Sequence, residues 1–212
     1  MSRRRKAALS VLATIVVVLA VIVGSTLRRT DGTWLFHSAP TPEGWPGPTP
    51  VGVVQVREYP AYRAATVGAA QVGADSRPMF LTLFRHIKTN DIAMTAPVEM
   101  TYVDDGGELA SMGFLYRSTT QGAAGPGGDV QVRDLTPRLL ASVGVRGAYD
   151  DHDTFLRGWS QLETCLAVSD EWVADGPPRF LGYNGPFVPP FFRYGEVQVP
   201  VRKRAETELA AY

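Results

Sequence analysis

The sequence predicts an α+β domain made of two β-α-β-β halves related by a pseudo-twofold duplication. The halves form a distorted antiparallel β-barrel or strongly curved sheet carrying two helices, preceded by one N-terminal transmembrane helix. Three observations predict it. VQVREYPAYRAATVG, from Val54 to Gly68, matches VQVRDLTPRLLASVG, from Val130 to Gly144, at seven of fifteen positions and an offset of 76 residues. Each copy reads as strand, turn at Pro60 or Pro137, and second strand, and each is followed at matching distance by an amphipathic helical pattern. Further strands then follow each helix, which gives two equivalent halves rather than alternating parallel units.

Taken in order, residues 1–6 form a basic N-terminus with Arg3, Arg4, Arg5 and Lys6, and residues 7–27 form an apolar run broken only by small or hydroxylated residues. About 20 apolar residues span a bilayer. The run exceeds the core of a secretory signal and lacks a clear Ala-x-Ala site, so an uncleaved signal-anchor is expected. The basic excess before it predicts a cytoplasmic start, a single pass through the cytoplasmic membrane, and an extracytoplasmic C-terminal domain. Residues 28–50 carry Pro40, Pro42, Pro46, Pro48 and Pro50 and are expected to be an extended spacer. Trp34, Phe36 and Trp45 within it could rest at a membrane interface or dock on the domain. The domain itself covers 51–203, with halves at about 51–121 and 129–203, and residues 204–212 form a tail.

Within the first half, Met79, Phe80, Leu83, Phe84 and Ile87 fall on one face of a helix expected from about Asp75 to Lys88. From Ile92 to Val103 apolar residues alternate with Thr95, Pro97, Glu99 and Thr101, as in a half-buried strand. Pro97 has no amide hydrogen, which places that strand at a sheet edge or a bulge. Gly106-Gly107 supplies a tight turn to the strand Met112 to Arg117, and Gly122 to Gly128 links the halves. In the second half a helix from about Asp153 to Val168 presents Phe155, Leu156, Trp159, Leu162 and Leu166. Strands at Arg179 to Tyr183 and Gly195 to Val201 complete it.

Charge and motifs narrow the function. Six of the 21 basic residues precede position 30, leaving 15 against 21 acidic residues, so nucleic acid is not an expected partner. Cys165 is the only cysteine; it excludes an internal disulfide and is expected as a buried thiol in its helix. His37, His86 and His152 are far apart, and the Asp150 to Asp153 turn is expected to cap a helix rather than hold a cation. With no nucleophile elbow, phosphate-binding loop or Cys-His pair, the chain is not expected to be an enzyme.

LFRHIKTNDIAMTAPVEM, from Leu83 to Met100, and YNGPFVPPFFRYGEVQVPV, from Tyr183 to Val201, resemble two motifs of the SOUL/heme-binding protein family. The resemblance covers essentially the whole of Val51 to Val201, and it implies a distorted barrel with an internal duplication. It also implies an apolar groove for heme or another porphyrin, formed by the first helix and adjoining segments. Carried onto this chain, the groove residues are Phe80, Phe84, His86, Met94 and Arg117, with Arg85, Lys88 and Arg117 available to tetrapyrrole carboxylates. His86 departs from the aromatic residue common at that position and is a candidate axial iron ligand. The implied function is a membrane-tethered tetrapyrrole-binding protein for binding, buffering or delivery of heme. The fold is also similar to GyrI-like effector-binding domains, so a small-molecule sensor is the alternative, and an enzyme acting on a tetrapyrrole or small electrophile a third.

Overall fold

The computed structural model describes residues 27–30, 33–36, 39–103, 108–147, 152–185 and 187–205, with backbone alone at 27–30 and 33–35. Strands β1 (Leu27–Thr30) and β2 (Thr33–Phe36) pair antiparallel with each other. The main chain of elements then runs β3 (Val54–Tyr59), β4 (Tyr62–Gly68), α1 (Ala69–Val72), α2 (Ser76–Thr89), β5 (Val98–Tyr102) and β6 (Leu109–Leu115). The second half follows as β7 (Gly125–Gly127), β8 (Val130–Leu135), β9 (Arg138–Arg146), α3 (His152–Ala167), β10 (Trp172–Ala174), β11 (Arg179–Gly182) and β12 (Tyr194–Lys203).

Ten strands form one antiparallel sheet in the order β3-β9-β12-β11-β5-β6-β4-β8-β7, with β10 also on β12. The order is symmetric with respect to the duplication. If β8, β9, β11 and β12 repeat β3, β4, β5 and β6, the order from β3 to β8 reads the same from both ends, and the dyad falls between β11 and β5. The first strand of each half crosses over to pair with the second strand of the other: β3 with β9 and β8 with β4. Tyr59 pairs with Arg138 and Tyr62 with Leu135, so both ladders keep one register and Pro60 falls opposite Pro137. Having no amide hydrogens, the two prolines interrupt both strands at the same level.

The barrel expectation is corrected: β3 and β7 end the order, and the sheet is open and curved. There are three helices among the described residues, α1 being a single turn the sequence pattern did not show. Pro97 is also corrected. It follows a cis peptide bond from Ala96 and lies just before β5, which is central, paired to β6 on one side and β11 on the other. The ladder starts after the residue that cannot donate. Leu27, the last residue of the expected span, belongs to β1, while residues 7–26 lie outside the described residues, as do the Gly106-Gly107 turn and His37. Among the described residues no helix is long and apolar enough to cross a membrane.

Alternation along the strands separates two cores. On one face, α2 and α3 cover Val67, Met100, Phe114, Val143, Phe180 and Val197. The other face carries Tyr59, Tyr62, Leu115, Leu140, Leu181, Tyr183 and Tyr194, and here Trp45 is buried with them. The proline-rich stretch is therefore no free spacer over residues 39–50. Trp45 meets the rings of Tyr59 and Tyr62 edge-on at 4.9 and 5.3 Å, and its Nε1 donates to the Tyr183 hydroxyl at 3.2 Å. The fully buried Glu196 carboxylate accepts from the Thr49 amide and the Tyr194 hydroxyl, both at 2.8 Å, and from Gln198 Nε2 at 2.7 Å. Tyr59 and Ser142 hydroxyls complete its shell. A carboxylate so placed is tolerated because every lone pair is used, and it ties residues 39–50 to the sheet.

Candidate functional site

Helix α2 starts where the Asp75 carboxylate accepts from the Arg77 amide at 3.0 Å, a side-chain N-cap. Met79, Leu83 and Ile87 are its buried stripe. Their spacing turns Thr82, Arg85, His86 and Thr89 to a neighbouring face, at the i, i+3, i+4, i+7 positions of one stripe. That face, with the edge of the sheet at β7 and β8, borders a half-open cavity of about 460 Å³. Ile92, Tyr116, Val130 and Val132 line it on the protein side, and the Gly122 to Gly127 stretch closes it from outside.

His86 stands at the helix end of this cavity. Its Nε2 lies 3.0 Å from the Tyr116 hydroxyl and its Nδ1 3.5 Å from Asn90 Nδ2. The Asn90 side chain also donates to the His86 carbonyl at 2.8 Å, closing the helix C-terminus. Burial holds the His86 imidazole below its ordinary range, so the ring is neutral at pH 7. Burial likewise raises the Tyr116 phenol, against the opposing pull of Arg63. Neutral imidazole and phenol thus face each other across one hydrogen bond, its direction set by the imidazole tautomer.

The outer wall is built for close approach. A Cβ at Gly127 would lie 3.2 Å from His86 Cε1, so the loop backbone passes the ring where a side chain would crowd it. Arg63 fixes the loop from behind, with Nη1 donating to the carbonyls of Gln121 at 3.0 Å and Gly122 at 2.8 Å. The same guanidinium pairs with Asp134 through two hydrogen bonds, of 2.7 and 2.8 Å.

Of the residues expected in a groove, the structure brings only His86 to this cavity. Phe80 stacks on Phe84, centroids 6.1 Å apart, and meets Phe114 edge-on at 5.1 Å. Phe84 is partly exposed, with Lys88 Nζ 5.6 Å from its ring centre. Met94 is partly buried against the helix-covered core and does not line the cavity, and Arg117 is exposed, its guanidinium donating to the Thr41 carbonyl. Arg85 does line the cavity. The residue missed outright is Tyr116, and its signal was present: Met112, Phe114 and Tyr116 alternate along β6 and just beyond, and all are buried.

A family model described as SOUL heme-binding protein matches residues 50–200. The chain belongs to the SOUL heme-binding protein family. That match takes in α2, the cavity and most of both cores, leaving out Trp45 and Val201. Among curated proteins no relative matches this SOUL-family chain. Of solved structures, the EcmrR C-terminal domain is similar at 14% identity and a TM-score of 0.52, covering 72% of this chain and 98% of that one. The cryo-EM structure of an EcmrR-DNA complex is similar at 14% identity and a TM-score of 0.53, over 72% of this chain. This chain spans 58% of the length of EcmrR there. At such identity the likeness is one of fold.

Proposed function

We propose that this SOUL-family chain binds heme or another tetrapyrrole in the cavity beside His86 and Tyr116, tethered to the cytoplasmic membrane by residues 7–27 with the domain outside. The observation that carries it is that cavity: its size is within the ~300–1,000 Å³ range of small-molecule sites, its inner wall is apolar, and one end presents imidazole and phenol. Both groups serve as heme-iron ligands elsewhere, so the residues present fit the group in kind. Arg85 is the basic side chain on the lining and would hold a carboxylate. Bound heme would supply iron for coordination or simply be carried as cargo. The chain's own part is to seat one face of the ring on Ile92, Val130 and Val132 and to offer a neutral nitrogen or phenol at one end. Because His86 Nε2 already meets the Tyr116 hydroxyl, coordination by His86 requires that contact to open.

Titrating the full-length protein in detergent with ferric heme and metal-free protoporphyrin, by absorbance and tryptophan quenching, tests this. Saturable one-to-one binding is expected for both. Arg85→Ala should weaken it roughly tenfold, about 1.5 kcal/mol for a lost charge-assisted hydrogen bond. A Soret shift lost in His86→Ala but kept in Tyr116→Phe would make His86 the ligand. The fold shared with the EcmrR C-terminal domain favours a second reading, an effector-binding domain. Saturable binding of another amphiphile with no binding of either porphyrin would select it.

A further inference from the structure

The segment between β11 and β12 contains Phe187, Phe191 and Phe192, which are 99%, 70% and 48% exposed. None belongs to either core, yet the segment is held in place. Arg146 Nη1 donates to the Phe192 carbonyl and Arg193 Nε to the Val188 carbonyl, both at 2.8 Å. The rings of Phe191 and Phe192 are 4.4 Å apart. Three exposed aromatic side chains thus cluster within residues 187–192, whose backbone is held at Val188 and Phe192, an arrangement that marks an interaction surface.

The neighbourhood identifies the occupant. Phe192 is 5.8 Å from the Phe36 ring, and the Phe36 carbonyl accepts from Asn184 Nδ2 at 2.6 Å. Phe36 is the cross-strand partner of Leu27. Directly opposed residues of an antiparallel pair lie about 5 Å apart. Leu27 is also the last residue of the apolar run that begins at Ala7. The point where a bilayer-crossing segment would leave the lipid therefore sits one strand spacing from Phe36 and beside the exposed phenylalanines. Aromatic rings favour that interfacial depth.

We infer that Phe187, Phe191 and Phe192 form a membrane-docking surface that enters the lipid headgroup and upper acyl region next to the anchor. This rests on residues 7–27 spanning the bilayer. The domain is then held at two adjacent points, the exit of the span and the aromatic loop, and sits on the bilayer in one orientation instead of swinging on a tether.

The test uses the full chain in phosphatidylcholine/phosphatidylglycerol vesicles, in a Cys165→Ser background, since Cys165 is exposed. Nitroxide labels are placed at Phe187→Cys, Phe191→Cys and, as a control, Val168→Cys, a position 79% exposed on the helix α3 side. Collision with oxygen against a water-soluble nickel chelate reports depth. Labels at 187 and 191 should favour oxygen several-fold more than the label at 168. Labels at 187 and 191 as open to nickel as 168, in a chain that resists an alkaline carbonate wash, would overturn the docking surface and leave the span. A chain that washes off while its labels still favour oxygen when vesicles are added would keep the surface and discard the span. Loss of both signals overturns both.

Discussion

At the scale of single residues, burial and hydrogen bonding decide what His86 can do. Its imidazole is held below the ordinary 6.5 by burial, so between the folded and unfolded values the unfolded chain binds more protons. Stability from this group is complete above 6.5 and is lost as pH falls through the folded value. The His86 Cε1 proton should titrate below 6.5 by NMR, and His86→Gln should flatten the acid limb of a denaturation series; titration at or above 6.5 would contradict the placement. The residue scale is also where sequence reading was weakest. Helical spacing and the family motif pointed to His86, which lines the cavity, and to Arg117, whose guanidinium meets the Thr41 carbonyl away from it. Cys165, expected buried, is exposed, because Leu162 and Leu166 set the stripe and position 165 falls on its flank. Tertiary partners such as the Thr41 carbonyl leave no local pattern.

At the scale of elements, periodicity was a good guide to helices and strands, and composition was a poor guide to residues 39–50. The predicted helices at 75–88 and 153–168 fall within a residue of α2 and α3. The proline-rich stretch looked like free chain because proline and glycine set local conformation only, whereas Trp45 and the Thr49 amide dock through contacts made nearly 150 residues away in sequence. Gly144 is the position that permits this. A Cβ there would collide with the Thr49 carbonyl oxygen and come within 2.9 Å of the Pro50 carbonyl. Both are backbone atoms and cannot rotate aside. Gly144→Ala should therefore lift the stretch from the sheet and cost about 1–3 kcal/mol, in the range of overpacking. Chemical denaturation measures the loss, and a red shift of Trp45 emission, isolated in a background lacking the other tryptophans, would locate it; an unshifted spectrum with unchanged stability would refute the account.

At the scale of the whole molecule, the internal repeat carried more than any motif, since it implied the two halves, and the strand order is symmetric about them although the exchange of first strands left no local pattern. It does not extend to the cavity. At the repeat offset His86 corresponds to Leu162, which is wholly buried, and the Gly122 to Gly127 wall lies in the link between the halves, which occurs only once. The site sits where the symmetry is broken.

The exchange of first strands has a further outcome for how the chain reaches this state. β3 cannot find its partner β9 until about 80 to 90 residues later in synthesis, and β4 waits about 65 to 73 for β8. Neither half owns a complete sheet, so the protein is a covalently joined dimer in all but name, and its nucleus must draw on both ends of the chain. Folding should be slow for its size. Cleaved in the 118–124 turn before β7, the two pieces should each be unstructured by circular dichroism and regain strand signal only when mixed; a half that folds by itself would show that the exchanged strands are ornament rather than frame.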